Sequence, residues 1–112
     1  MYQKVTIIGN LGQDPRINQV NGAQVANFSV AATKTWNDAT GKRHQRTVWF
    51  QVSAWRALAG PCQQYLQKGS LVMVEGELRE PQLYQTQDGE WRANLAITAE
   101  TIKFLSKNPN SV

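Results

Sequence analysis

A chain of 112 residues with 12 basic and 8 acidic side chains, net charge +4, fits one domain of the usual ~100–150 residues and favours a polyanionic partner. Its one cysteine, Cys62, excludes an internal disulfide, and one His with one Cys cannot assemble a four-ligand zinc site, so neither metal nor cofactor is expected. No run approaches the ~20 apolar residues of a membrane span, and MYQKVTIIGN lacks the succession of a signal peptide; a soluble, intracellular protein is expected.

In chain order, Tyr2 to Leu11 starts as a strand. Val5 and Ile7 alternate with Lys4 and Thr6, and the Ile7-Ile8-Gly9 step breaks that alternation, which predicts a bulge or sharp bend at Gly9. Gly12-Gln13-Asp14-Pro15 is a turn sequence, and Ile17 to Val20 runs as a short strand into an Asn21-Gly22 hairpin. From Gln24 to Thr35, Ala26, Phe28, Val30 and Ala32 form an apolar face opposite Asn27, Ser29, Ala31 and Thr33. Trp36 has the parity of the apolar face but stands at the strand end between Lys34 and Asn37-Asp38, where an indole is better explained at the surface. Asn37 to Arg46 then reads as a polar loop carrying Lys42, Arg43, His44 and Arg46.

The third long strand, Thr47 to Leu58, carries the most information. Val48, Phe50, Val52 and Ala54 share the core face, while Trp49, Gln51, Ser53 and Trp55 share the other, with the two indoles about 20 Å apart at ~3.3 Å per residue. Two readings stand for that second face. It is an open platform for stacking bases, or it is buried packing in a sandwich or oligomer. Cations and indoles interleaved along one hairpin suit a single strand whose phosphates meet charge while its bases meet rings.

Beyond it, Ala57 to Lys68 reads as helical, its regular part running from Pro61 to Lys68 with Gly69 as the stop and Cys62 as a packing residue. Ser70 to Leu78 is a fourth strand with Val72, Val74 and Leu78 inward. Its outward Glu75 and Glu77 are solvated or ion-paired positions, because no nucleophile, base or metal set accompanies them. Arg79 to Glu90 is a second long polar connection with a Leu83-Tyr84 island, and Tyr84 joins the stacking candidates. The last strand sets Ala93, Leu95, Ile97 and Ala99 inward, with Trp91 at its mouth; Ile102, Phe104 and Leu105 complete the core.

Strand, strand, strand, helix, strand, strand, with long connections after the second and between the last two, is the layout of an all-β, five-stranded OB-fold barrel with one short helix between its third and fourth strands. The residues Ile8-Gly9-Asn10-Leu11-Gly12 with Asp14-Pro15, Ala26 to Ala31, Trp36 with Asp38, Thr47 with Trp49-Phe50, Tyr65-Leu66 with Lys68-Gly69, and Val74 to Arg79 carry a likeness across the chain. In these stretches the sequence resembles the bacterial and mitochondrial single-stranded DNA-binding proteins. The resemblance implies that Trp36, Trp49, Trp55 and Tyr84 occupy base-stacking positions. It also implies a homotetramer, with a dimer as the alternative, assembled through first-strand pairing and the face near Phe50. The departures are at Arg56 to Pro61 and at Arg92-Ala93-Asn94.

The expected domain is 1–105, with 106–112 opening a flexible tail. The acidic tip implied by the family is not in the sequence, so partners recruited by that tip are not expected. Location is expected to be cytoplasmic and nucleoid-associated, ahead of the mitochondrial matrix, without membrane attachment. The function expected is non-catalytic, sequence-tolerant binding of single-stranded DNA in replication, recombination and repair. In it Lys34, Arg43, Arg56, Lys68 and Arg79 meet phosphates, and Trp91, Lys4 and Lys42 stand in a second rank. The rival from another class is an OB-fold interaction adaptor of the replication-restart type, whose exposed aromatics meet protein. A small hydrolase lacks any nucleophile and base at motif spacing.

Overall fold

The computed structural model describes residues 2–106. The expected tail therefore lies, apart from Ser106, outside the described residues. Eight strands and one helix occur in the order β1 (Val5–Leu11), β2 (Arg16–Val20), β3 (Ala23–Asn37), β4 (Arg43–Trp55), α1 (Ala59–Tyr65), β5 (Leu71–Leu78), β6 (Gln82–Gln85), β7 (Trp91–Asn94) and β8 (Ala96–Phe104). Five of these close a barrel in which each strand finds a partner on both edges, in the circular order β1, β3, β4, β8, β5. The β4–β8 contact is parallel and the others are antiparallel. This is the OB-fold barrel, with α1 between its third and fourth strands.

The barrel is filled by alternate residues of its strands. Ile7 and Leu11, Ala26, Phe28 and Val30, Val52 and Ala54, Val72 and Val74, Ile97 and Ala99 meet inside, and Cys62 and Leu66 of the helical segment close one end. Burial pushes the Cys62 thiol up to about 11, which suits an inert packing residue. The Asn21-Gly22 turn between β2 and β3 is as expected: both residues have positive φ, 51° and 81°, as a two-residue hairpin matching the strand twist requires.

Several sequence expectations are corrected. The alternation of β1 does not break at Gly9; its register with β5 runs unbroken from Val5 opposite Gly76 to Asn10 opposite Leu71. Ile8 simply faces outward, 56% exposed. Gly9 is an inward position where a Cβ would collide with the Ala31 carbonyl, because β1 passes there from β5 to β3 and closes the barrel. The helix begins at Ala59 rather than Pro61, preceded by a 3₁₀ turn over Arg56–Leu58. Pro61 falls within the first turn, whose N–H groups have no intrahelical acceptor, so nothing is lost there. The helix stops at Tyr65, and Gly69 instead makes a later turn whose N–H bonds to the Leu11 carbonyl at 2.9 Å.

Both long polar connections contain strands. Residues 37–46 are mostly the ends of β3 and β4, paired out to Asn37 opposite Arg43, so only 38–42 form the turn. The second connection and the start of the expected last strand form a separate two-stranded sheet, β6–β7. The break falls at Leu95, whose carbonyl accepts the Gln51 N–H at 2.8 Å. Ala93 is therefore exposed rather than inward. Val48, Phe50 and Leu78 are half-buried, and Phe104 and Leu105 are exposed, with Phe104 resting on Tyr65 at 5.7 Å between centroids.

Candidate nucleic-acid interface

Strand register sorts the candidate residues onto surfaces. Opposite residues of an antiparallel pair share a face, and Trp49, Gln51, Ser53 and Trp55 lie opposite Ala31, Ser29, Asn27 and Val25. Since Val30, Val52, Phe28 and Ala54 fill the interior, the set forms the outer wall of the barrel, except that Val25, opposite Trp55, is itself buried. Trp49 is 51% exposed and Trp55 half-buried, so neither indole is sealed inside the barrel. The Trp49 ring lies across Gly12: a Cβ at that glycine would stand 2.7 Å from Cζ3 and 3.2 Å from Ser29 Oγ. The benzo edge of the indole thereby lies close against the backbone.

Between the two indoles the surface is polar. Ser53 Oγ donates to Asn27 Oδ1 at 2.9 Å, tying β4 to β3. A shallow cleft beside them is lined by Gln13, Asp14, Arg16, Asn27, Ser29 and Gln51, above Phe28. Asp14 Oδ1 accepts the Lys68 backbone N–H at 2.7 Å, which fixes the Lys68 turn against this edge. Arg56 follows Trp55 directly and has φ of 56°, a left-handed conformation that costs a residue with a Cβ. Arg16 is a cleft residue that the sequence reading passed over. Its only signal is a cation on the strand that pairs with Asn27.

Beyond Ala32, β3 and β4 leave the barrel and run on as a two-stranded arm, exposed on both faces at Lys34, Thr35 and Trp36. By register, Arg43 continues the Trp49 face through Thr33 opposite Thr47 and Asn37 opposite Arg43, whereas Lys34 and Trp36 continue the inner face. Parity therefore holds for Trp36, yet the ring is 40% exposed because the core ends before it. It stacks on His44, centroids 5.6 Å apart and planes 21° from parallel.

The turn that follows is organised by Asp38. Its Oδ1 accepts from Thr40 Oγ1 at 2.6 Å and from the Thr40 and Lys42 backbone N–H groups at 2.9 Å each, and Oδ2 accepts from His44 Nε2 at 2.7 Å. The Thr40 hydroxyl, then His44 and the Lys42 amide, hold the Asp38 carboxyl down from 3.8 to about 2.

Tyr84 and Trp91 sit on the β6–β7 hairpin, again on opposite faces: Tyr84 pairs with Arg92, while Trp91 pairs with Gln85 and shares its face with Leu83 and Ala93. Trp91 is 69% exposed. Arg79 stands at the root of that hairpin, its N–H bonded to the Ala96 carbonyl at 2.7 Å. Lys4 is committed elsewhere, 3.5 Å from Glu75 and 3.3 Å from Glu100, with its ammonium 5.7 Å over the Tyr2 ring. Tyr2 and Glu100 raise its pKa. Lys42 is exposed on the arm turn. The structure thus joins Trp49, Trp55, Arg56 and the Lys68 turn along the barrel wall, and distributes Trp36, Tyr84 and Trp91 onto two projecting hairpins. Among the described residues no cluster of three His, Cys, Asp or Glu could hold a metal ion.

The family model for the single-strand binding proteins matches residues 2–105. The chain belongs to the single-strand binding protein family. Two relatives named single-stranded DNA-binding protein, from Neisseria meningitidis serogroup A and serogroup B, are each 44% identical over 110 residues. The match covers 96% of this chain and 63% of theirs, so the chain spans somewhat under two thirds of the length of these curated relatives. A solved Plasmodium falciparum member, in complex with single-stranded DNA, superposes with a TM-score of 0.77 at 26% identity, covering 95% of this chain and 97% of that one.

Proposed function

We propose that this chain binds single-stranded DNA without sequence preference and without catalysis, serving replication, recombination and repair. The observation that carries the reading is the outer wall of β4. A half-exposed indole is seated on Gly12, a second indole stands six residues along, and a polar cleft with Arg16 lies beside them. Every base has a π-face, so rings spaced along a strand accept any sequence, each stack contributing ~1–3 kcal/mol while cations displace counterions from phosphate. Trp36, Trp49, Trp55 and Tyr84 are the stacking residues, and Lys34, Arg43, Arg56, Lys68 and Arg79 the phosphate contacts. Relatives named for single-stranded DNA, and a similar fold seen with it, support the same reading.

The functional unit is 1–105, in a cytoplasmic, nucleoid-associated setting that fits the bacterial relatives. Copies assemble into a homotetramer through the apolar groove formed by Ile8, Ala32, Val48 and Phe50, where an exposed isoleucine and a half-buried phenylalanine lie side by side. Light scattering with and without oligonucleotide gives the assembly mass. Titration with oligo-dT under tryptophan fluorescence tests the function: deep quenching at submicromolar protein is expected. An unchanged spectrum would instead favour the adaptor reading, in which protein covers the rings.

A further inference from the structure

The cleft beside Trp49 contains a carboxylate, and phosphate binding does not account for it. Its lining brings Asp14 and Arg16 together with Gln13, Asn27, Ser29 and Gln51 around about 330 Å³, the lower end of the ~300–1,000 Å³ typical of small-ligand sites. A carboxylate repels phosphate, so Asp14 weakens a surface whose only task is to neutralise a DNA backbone. Among the described residues neither Asp14 nor Arg16 has an oppositely charged partner within 4.0 Å. The two charges share the cleft without cancelling each other.

Two of the lining groups are held in one orientation with capacity to spare. Asp14 Oδ1 accepts the Lys68 N–H at 2.7 Å, which fixes the carboxylate and leaves Oδ2 to a ligand. Asn27 lies opposite Arg16 of β2 on one side and Ser53 of β4 on the other. Its Oδ1 accepts from the Ser53 hydroxyl at 2.9 Å, and its amide donors are left over. Arg16 adds a planar fork of donors. Gln51 follows Trp49 on the outer face of β4 by about 7 Å, at ~3.4 Å per residue, so a base stacked on that indole reaches the cleft with its edge.

Such a cleft complements an edge with paired acceptors beside paired donors. Guanine is the one base that presents this: O6 and N7 accept from an arginine fork, while N1–H and the 2-amino group donate together to a carboxylate. In adenine, cytosine and thymine an acceptor stands next to every ring-edge donor, and a carboxylate repels it.

We propose that Asp14 and Arg16 form a base-edge subsite for one guanine beside the Trp49 stack. This rests on the reading of the chain as a single-strand binder, and adds one position at which an otherwise tolerant surface discriminates.

The test uses unlabelled oligonucleotides of equal length that alternate dT with dG, with deoxyinosine or with 7-deaza-dG, each competing against labelled oligo-dT in fluorescence anisotropy. All three purines stack; deoxyinosine lacks only the 2-amino group and 7-deaza-dG only N7. Wild type should favour dG over either analogue by about fivefold, the lower end of what one bidentate base contact discriminates. Asp14→Asn keeps an acceptor for the Lys68 N–H but turns Oδ2 into a donor. It should abolish the preference over deoxyinosine while its oligo-dT affinity stays equal or rises. Arg16→Lys keeps the charge and loses the fork, so it should abolish the preference over 7-deaza-dG at an unchanged salt slope.

Equal competition by dG and deoxyinosine in wild type would overturn the subsite and leave the parent reading standing. So would a preference that survives Asp14→Asn, or one lost only along with the thermal midpoint. Failure of the wild-type chain to bind oligo-dT would remove the parent reading and the subsite together.

Discussion

Between Val25 and Val30, β3 packs Ala26, Phe28 and Val30 into the barrel; from Thr33 to Asn37 the same strand is exposed on every side. Its partner changes in the same way, from buried Val52 and Ala54 to exposed Gln45 and Arg46. One ribbon thus serves two purposes. Inside the barrel, side chains are chosen by the volume they fill, and a ring such as Phe28 contributes to stability. On the arm, side chains fill no interior, and the Trp36 indole rests against His44 instead. The barrel supplies a rigid origin from which the arm presents its groups.

The largest effect that sharpens this contrast is Phe28→Ala. Removing a buried ring should cost ~3–5 kcal/mol of stability by denaturant unfolding; a change below 1 kcal/mol, on the order of what an exposed position shows, would mean the ring does not belong to the core. Trp49→Ala should do the reverse, weakening oligo-dT binding by roughly 1–3 kcal/mol with a nearly unchanged unfolding midpoint. Unaltered affinity in a fully stable Trp49→Ala protein would contradict the stacking role.

A smaller effect is expected at the exit from β4. Arg56→Gly should gain about 1 kcal/mol of stability by relieving the left-handed backbone, while binding weakens through the lost charge. A destabilised glycine variant would show that the arginine side chain holds the turn.

The smallest effect concerns Asp38. Its carboxyl is depressed in the folded chain, so what it contributes is complete above the ordinary value of 3.8 and is lost as pH falls through about 2. Acidification across that window should loosen the arm turn, read by Trp36 emission in a chain whose other tryptophans are replaced by phenylalanine. The strand signal of the barrel in far-ultraviolet circular dichroism should hold until lower pH, and simultaneous loss of both would erase the distinction between the two regions.

How far the sequence alone reaches follows the same division. Where a strand is buried on one face, alternation is written in its residues: Ala26, Phe28 and Val30 point inward as read, and the Asn21-Gly22 turn and the element order identify the barrel. Where strands are exposed on both faces the signal vanishes. Gln45 and Arg46 look like loop residues because nothing selects an apolar face, although cross-strand pairing holds them extended. The same reason hid β6 and β7 and carried Ala93 wrongly into the core. Aromatic identity was legible at Trp36, Trp49, Trp55 and Tyr84. Their distribution over different faces was not, since it depends on register and on where the barrel ends. Arg16 was overlooked for a related reason: a lone cation acquires meaning only from what lies across the strand.

Gly12 has a consequence for design as well. The tilt of the neighbouring indole is set by an atom that is not there, and a single methyl group inserted beneath it would act as a wedge under a hinged plate. Alanine at that position would therefore displace the ring while keeping the chromophore, and the proposed grip on oligo-dT should weaken with every side chain of the wall still present.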